Sequence, residues 1–372
     1  MLFRSGEPLI DYRPVARTAV RRSLAVKKGE NVIVETWNHG LPLAKELVYE
    51  LRDVGARSIL LFEDEDTYWR SLQELPKQKL GHVGSHEWAA LKEADCYIFV
   101  PGPADVRRIR EIGWEKYDAA TAYNTAWYKN AERWGIRGVR IGLGYATRQR
   151  ADSYGFDWAA WQQMLVDACV ADPKGLGATG RKLERLLRRE ASVRVTAPNG
   201  TDFTFDLPGR SCEVNDGVTD KRDVEEGNNM CNLPGGSVYS TADETSGEGT
   251  FVADRPAGYL GKWMRGVSFT FRDGRLDRYE VAEGGEHLAK QFTKDKDAGK
   301  NRLAGLSIGL NPMLRYGFLQ DASVAGAFHL GFGANEEGGG KNKGDFYLGG
   351  NLTNATVAVD GKAILRGGRL AV

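Results

Sequence analysis

NVIVETW (31–37) is a β-branched run, and LPLAKELVYELRDVGA (41–56) follows it with apolar residues at helical spacing. The next segment, RSILLFED (57–64), is again short and apolar. Strands separated by helices predict βαβ units, whose parallel sheet is buried on both faces. Farther along the chain, DCYIFVPGP (95–103) and VRIGLGYAT (139–147) read as two more strands. We therefore predict an N-terminal α/β domain with a parallel sheet.

The segment 104–190 has a mostly helical pattern and is rich in tryptophan and arginine. Its last part, RKLERLLRRE (181–190), places leucines on one face and basic residues around them, which is typical of a solvated amphipathic helix. We interpret this segment as a helical extension of the first domain, which then covers residues 1–190.

The pattern changes after residue 190. ASVRVTAPNGTDFTFDL (191–207) alternates apolar and polar residues around a Pro-Asn-Gly turn, and GVSFTFRDGRLDRYEVAEG (266–284) does the same around Asp-Gly. Such pairs of alternating runs predict β-hairpins. One helical segment, GEHLAKQFTKD (285–295), interrupts them. We predict an antiparallel-rich α+β domain over residues 191–372, and this domain carries the candidate site.

The composition is that of a globular protein with a mixed-charge surface. The chain has 372 residues, of which 41% are hydrophobic and 27% are charged, and its net charge is +1. The lack of a basic excess argues against nucleic acid as a partner. The absence of an apolar run of about eighteen residues argues against a membrane span. Four cysteines without a CxxC pair, and no recognisable signal peptide, lead us to expect a cytoplasmic protein with free thiols.

Histidine is scarce, so few positions could bind a metal. His82 and His86 are four residues apart, but Gly84 lies between them and Ser85 reads as a helix start, so a shared helical face is not expected. His329 stands in an apolar, glycine-rich strand, where a polar side chain needs a partner. Asp360 ends a similar strand of small residues. Taken alone, both residues are interpreted as satisfied polar groups of the core.

Several segments together change that interpretation. NLPGGSVYSTADETSGEGTFVADRP (232–256) resembles a signature of the thermophilic aminopeptidase T and aminopeptidase S family. Further segments are similar to that family in the same order along the chain, and the likeness covers nearly all of it: GVRIGLGYATRQRAD (138–152), GTDFTFDLPGR (200–210), LSIGLNP (306–312), GAFHLGFGAN (326–335) and ATVAVDG (355–361).

The resemblance implies a ligand set for two divalent metals, made of two Glu, two His and one Asp. At the matching positions this chain has Ser237 for the first Glu, Gly305 for the second and His329 for the first His. Ala358 takes the place of the second His, and Asp360 matches the Asp. His329 and Asp360 are thus the candidate metal-binding and catalytic residues that remain.

A single carboxylate and a single imidazole cannot neutralise two dications, because a two-metal site depends on clustered carboxylates. We therefore predict a degenerate centre that holds at most one divalent metal (zinc, cobalt, manganese or iron), or none. The chain would then bind or transform a peptide-like or small amide ligand without the dinuclear mechanism. The residues assigned to ligand binding are Asn232, Gly235, Gly236, Tyr239 and Glu244. The resemblance also implies a homodimer.

Two alternatives stay open. A divergent aminopeptidase or amide hydrolase could use one metal, or none, with His329 as general base, Asp360 as its orienter and Ser237 or Cys231 as nucleophile. A ring-cleaving dioxygenase is the other alternative, since the 2,5-dihydroxypyridine dioxygenases resemble the same peptidase family and hold one iron with two His and one Asp. Ala358 leaves this chain one ligand short of that set.

Overall fold

The computed structural model describes residues 10–344 and 346–372, except for the side chain of Trp114. The chain forms two compact units. Residues 10–171 together with 217–234 form unit 1, and residues 172–216 with 235–344 and 346–372 form unit 2.

Most helices lie in the first half of the chain. Their bounds are α1 (Arg13–Thr18), α2 (Leu41–Asp53), α3 (Glu65–Glu74), α4 (Ser85–Lys92), α5 (Arg107–Ile112), α6 (Trp114–Thr121), α7 (Asn124–Arg133), α8 (Arg148–Tyr154), α9 (Trp158–Cys169), α10 (Pro173–Leu187), α11 (Lys221–Glu225) and α12 (Glu286–Lys294).

Most strands lie in the second half of the chain. Their bounds are β1 (Asn31–Trp37), β2 (Arg57–Glu63), β3 (Cys96–Phe99), β4 (Arg137–Ile141), β5 (Glu190–Thr196), β6 (Asp202–Pro208), β7 (Cys212–Asn215), β8 (Met230–Leu233), β9 (Ser237–Thr241), β10 (Glu248–Val252), β11 (Ala257–Tyr259), β12 (Lys262–Met264), β13 (Ser268–Arg272), β14 (Arg275–Glu280), β15 (Leu303–Gly309), β16 (Phe328–Gly333), β17 (Tyr347–Leu352), β18 (Thr356–Val359), β19 (Lys362–Arg366) and β20 (Arg369–Leu370).

Unit 1 is built on a parallel five-stranded sheet with the order β2-β1-β3-β4-β8. The β-branched residues Val32, Ile33 and Val34 of β1 are buried in its centre. This confirms the predicted parallel α/β fold. The strand order is that of doubly wound sheets of the flavodoxin type, with β8 in the fifth place.

Unit 2 contains an eight-stranded sheet, β14-β13-β10-β6-β5-β18-β19-β20, and a five-stranded sheet, β17-β16-β15-β9-β7. Both are antiparallel, as predicted for the C-terminal part. The predicted hairpins are present as β5–β6 and β13–β14. Aromatic side chains join the apolar faces of the two sheets: the Phe332 ring of β16 lies 5.1 Å from Phe269 and 6.0 Å from Phe271 of β13.

The structure divides the chain differently from the predicted boundary at residue 190. Helix α10 belongs to unit 2, where its Leu183 and Leu187 are fully buried. A Cβ added at Gly180 of α10 would lie 2.4 Å from Val214 of β7, so helix and strand are in close contact. Residues 217–234 return to unit 1, because β8 completes its parallel sheet. A strand contributed from distant sequence leaves no local pattern that marks the boundary.

Among the described residues, no helix combines the length and the apolar character that a bilayer span requires.

Candidate functional site

The five-stranded antiparallel sheet of unit 2 has one polar face. Residues that are directly opposite one another on paired strands point to the same side of a sheet. The register therefore places one polar residue from each strand side by side across the whole sheet, in the order Asn351, His329, Ser307, Tyr239 and Glu213.

The alternation of side chains explains why this row is polar. In β16, the neighbours Phe328 and Leu330 of His329 are fully buried on the apolar side of the sheet. Because successive residues of a strand point to opposite faces, His329 points to the other side. The hydrogen-bond partners that the sequence predicts for His329 therefore have to lie on the polar face.

His329 has a hydrogen-bond partner at each ring nitrogen. Its Nδ1 lies 2.8 Å from Oδ1 of Asn351, and its Nε2 lies 2.8 Å from the hydroxyl oxygen of Tyr347. Burial lowers the pKa of His329, and the Asn351 hydrogen bond opposes that effect. With an amide oxygen as its partner, Nδ1 of the neutral ring donates, and Nε2 accepts from the Tyr347 hydroxyl.

Three glycines make room for the rings on this face. A Cβ at Gly349 would lie 2.4 Å from Nε2 of His329, and a Cβ at Gly331 would lie 2.3 Å from the Tyr347 hydroxyl oxygen. A Cβ at Gly305 would lie 2.5 Å from the Ser240 carbonyl oxygen. A side chain at Gly305 would therefore have to displace the Ser240 carbonyl, and one at Gly349 the His329 ring.

The acidic groups of the face are shifted toward their neutral forms. Burial, with Glu213 and Glu244 nearby, raises the pKa of Tyr239 to about 12. Burial also raises the pKa of the Tyr347 hydroxyl and of the Glu213 carboxyl. At neutral pH the central part of the face thus presents hydroxyl, amide and imidazole groups without charge.

Asp360 is not on this face. It lies in the exposed turn between β18 and β19 with φ of 48°, and its Oδ1 accepts a hydrogen bond of 2.9 Å from the Ser192 backbone N–H. Ala358 pairs with Arg194 in the same eight-stranded sheet. The residue at His329 Nδ1 is Asn351, which replaces Asp360 in the predicted orienting role.

The His-x-Asp spacing that the resemblance placed at 358 and 360 has a structural counterpart beside His329. Gly349 and Asn351 on β17 are two residues apart, and both lie on the face of His329. Asn351 was missed because strand pairing cannot be read from a single sequence. The Asp360-Gly361 motif, which the resemblance matched to the metal ligand, is instead the turn of the β18–β19 hairpin.

Ser237, the predicted site of a lost Glu, lies at the end of β9 opposite Gly309 and Asn215. Its neighbours Gly235 and Gly236 use their backbone groups within unit 2. The Gly235 carbonyl accepts from the Asn311 side chain at 2.7 Å, and Gly236 donates to the Asn215 carbonyl at 2.7 Å.

The remaining predicted site residues belong to different units. Tyr239 is on the polar face, whereas Asn232 is on β8 in unit 1, as is the buried Cys231. Ser307, not Ser237, is the serine directly opposite His329.

Glu244 is buried, and both of its carboxylate oxygens accept hydrogen bonds. Its carboxylate accepts hydrogen bonds of 2.6 and 2.8 Å from Arg210, 2.8 Å from the Lys341 backbone and 3.2 Å from Asn335. Burial alone would raise its pKa, but Arg210 and the other donors hold the pKa of Glu244 at about 2. These contacts attach the segment 335–341 to the sheet.

Unit 1 contains a separate cavity of about 150 Å³ at the carboxyl ends of its parallel strands. Ligands of doubly wound sheets bind at this end. Arg148 is the one lining residue with a permanent formal charge, and Nε2–H of His39, just before α2, donates to the Gly144 carbonyl oxygen at 2.9 Å. The sequence prediction did not single out this cavity, because its walls come from segments that are far apart in the chain.

Within the part of the chain that the structure describes, no group of three or more His, Cys, Asp or Glu side chains is arranged to hold a metal ion. His82 bonds to the Gln78 carbonyl, and His86 is exposed. The predicted separation of these two histidines is consistent with α4 beginning at Ser85.

The architecture defines a class of two-unit proteins. One unit is an α/β unit with a parallel sheet, and the other bears the candidate site on an antiparallel sheet. The family model described as thermophilic metalloprotease (M29) matches residues 11–335. The chain belongs to this family.

Two solved structures share the fold along their whole length. Wild-type AmpT from Thermus thermophilus is 19% identical with a TM-score of 0.74, and the match covers 97% of this chain and 99% of that one. The 2,5-dihydroxypyridine dioxygenase from Pseudomonas putida is 16% identical with a TM-score of 0.66, covering 97% of each chain. A search of curated proteins found no match.

Proposed function

We propose that this member of the M29 family binds a peptide-like or small amide ligand on the polar face of the five-stranded sheet, without holding a pair of metal ions. The observation that carries the proposal is the state of His329. Both of its ring nitrogens are engaged, one by Asn351 and one by Tyr347, so the remaining imidazole offers no free nitrogen to a metal.

The residues around His329 do not fit a dinuclear centre. Such a centre needs clustered carboxylates to neutralise two dications. The positions that the resemblance gives to the two Glu ligands are Ser237 and Gly305, and neither carries a charge. Asn351, beside His329, has an amide where a carboxylate would be required.

The same groups suit a neutral amide. Tyrosine and serine hydroxyls, a carboxamide and an imidazole can donate to a carbonyl and accept from an N–H without the cost of burying a net charge. Tyr347 is 40% exposed, so part of its ring can contact a ligand while its hydroxyl bonds to His329. We place the protein in the cytoplasm, because its four cysteines are buried free thiols.

Metal analysis and a binding assay on the same preparation test the proposal. We expect well below one zinc, cobalt, manganese or iron ion per chain after dialysis, and no release of p-nitroaniline from leucine-p-nitroanilide with added cobalt. A dipeptide amide should raise the melting temperature, and His329→Ala should abolish that shift. Glu225→Gln, a change in an exposed ion pair of unit 1, is the matched control.

Other outcomes would replace the proposal. Two bound ions and a chelator-sensitive peptidase activity would show a working dinuclear aminopeptidase. One bound ion with hydrolysis of the anilide would support the hydrolase alternative. One iron per chain with oxygen-dependent cleavage of an aromatic ring would support the dioxygenase alternative.

A further inference from the structure

The order of the parallel sheet in unit 1 reverses between β1 and β3. β1 pairs with β2 on one side and with β3 on the other, so the chain first continues to one side of β1 and later to the other side. In doubly wound sheets, ligands bind in the crevice outside the carboxyl ends of the strands at such a point. The cavity of about 150 Å³ lies there, because its lining residues His39 and Gly40 follow β1 and its lining residue Val100 follows β3.

Polar side chains in the wall of this cavity are engaged within the protein. The Tyr12 hydroxyl donates to Oε1 of Gln162 at 3.0 Å. The Trp158 indole N–H donates to the Ala146 carbonyl oxygen at 2.9 Å. These hydrogen bonds leave mainly the aromatic rings and aliphatic carbons of the wall for contact with a ligand.

His39 adds no positive charge to the wall. Burial lowers the pKa of His39, so its ring is neutral at pH 7. The proton on Nε2 is directed at the Gly144 carbonyl, and Nδ1 is buried, 3.9 Å from a carboxylate oxygen of Glu65.

Aliphatic side chains complete the wall. Leu43, Val100 and Leu143 line the cavity and are buried. In another protein, an apolar cavity of about 150 Å³ binds benzene. The space in unit 1 therefore suits an apolar body of about that size.

The mouth of the cavity is positively charged. Arg148 is exposed and lines the cavity, with its guanidinium carbon 4.6 Å from the centre of the Trp158 ring. Arg150, two residues farther along α8, donates to the Pro103 carbonyl at 2.9 Å, and its buried Nε has no hydrogen-bond partner among the described residues. A guanidinium group matches the geometry of a carboxylate, so the mouth favours an anionic group.

A phosphate group is less well suited to this position. Phosphates at the N-terminus of a helix are held by several backbone N–H groups. α2 begins beside the cavity, but Pro42 in its first turn has no N–H, and the N–H of Leu41 donates to the Asn38 carbonyl. The side chain of Arg148 is then the main group for an anion, and a carboxylate needs no more than that.

We infer that unit 1 binds a small monocarboxylate, whose apolar body fills this cavity and whose carboxylate pairs with Arg148 at the mouth. The aliphatic wall excludes polar bodies, because they would lose their hydrogen bonds to water without replacement. The inference does not depend on the function proposed for the polar face of unit 2, because every residue that lines the cavity belongs to unit 1.

Calorimetric titration of the full chain with benzoate tests the inference. We expect a dissociation constant of about 1 mM or below, which is within reach of a ligand of this size. Benzyl alcohol has the same ring without the charge and should bind about tenfold more weakly or worse. Inorganic phosphate has the charge without the apolar body and should show no measurable binding.

Two variants locate the site. Arg148→Gln should weaken benzoate binding about tenfold or more and leave benzyl alcohol binding unchanged, because only the charge is removed. Leu43→Trp fills the cavity and should abolish binding of both compounds. Arg70→Gln, a change in an exposed ion pair on α3 of the same unit, is the matched control and should bind benzoate as the wild type does.

Circular dichroism and the melting temperature show whether each variant is folded. Should Leu43→Trp not fold, Arg148→Gln decides the question, because its side chain is exposed. Three outcomes would each overturn the inference: no benzoate binding in the millimolar range, benzyl alcohol or phosphate binding as tightly as benzoate, or a benzoate affinity that Arg148→Gln leaves unchanged.

Discussion

His329 on β16 lies directly opposite Asn351 on β17, with 2.8 Å between the imidazole Nδ1 and the amide Oδ1. This contact joins the edge strand β17 to its neighbour β16 and fixes the orientation of the ring. It also sets the chemistry of the polar face, because an amide orients a neutral imidazole without adding charge, whereas a carboxylate would favour the imidazolium form.

Asn351→Asp should therefore raise the pKa of His329. A carboxylate within hydrogen-bond distance favours the charged form of an imidazole by about 1 pKa unit or more. NMR titration of the imidazole resonances measures the change. Asn354→Asp in the exposed turn after β17 is the control and should have a much smaller effect. An unchanged His329 pKa in Asn351→Asp would contradict the hydrogen bond seen here.

Gly349→Ala should destabilise unit 2 through His329. The added Cβ would lie 2.4 Å from Nε2, so the ring must leave its position between Asn351 and Tyr347. We expect a loss of about 1–3 kcal/mol in the free energy of unfolding, measured with urea. In a His329→Ala background the same substitution should cost much less, because the closest neighbour is gone and only the Tyr347 hydroxyl, 3.0 Å from the added Cβ, has to shift. Additive effects of the two changes would show that the clash is not the cause.

Tyr347→Phe should weaken ligand binding without unfolding the protein. The variant keeps the ring and removes the hydroxyl that donates to His329. We expect about fivefold weaker binding of a dipeptide amide by calorimetry, about 1 kcal/mol, because without the hydroxyl the His329 ring is no longer held in its binding position. Tyr49→Phe, at an exposed position in α2, is the matched control. Equal affinity in wild type and Tyr347→Phe would remove Tyr347 from the site.

Glu244→Gln should lower stability at neutral pH by about 3 kcal/mol, because it leaves the Arg210 charge without its partner. The folded-state pKa of Glu244 is about 2, below that of an unfolded glutamate. The carboxylate therefore contributes its full stability above the unfolded pKa and loses it as the pH falls through the folded value. Urea unfolding should show the difference between wild type and variant narrowing from about pH 4.5 toward pH 2. A difference that stays constant over this range would contradict the ion pair.

Much of the fold followed from local patterns. The β-branched run at 31–37 and the helix after it predicted the parallel sheet, because buried strands and amphipathic helices have different periods. The turns at Asn199-Gly200 and Asp273-Gly274 predicted hairpins, since few residues adopt the backbone angles of tight turns. The glycine and histidine segments carried the family resemblance, and the family match over residues 11–335 confirms it.

Tertiary structure alone decided which residues meet. The return of 217–234 to unit 1, the pairing of His329 with Asn351 and the position of Asp360 in a turn of another sheet all depend on strand register. Register is a property of two distant segments, and no single segment encodes it. The sequence by itself determined the local elements and the scarcity of charged ligands, whereas the sheet determined that His329 is held by an amide and a phenol.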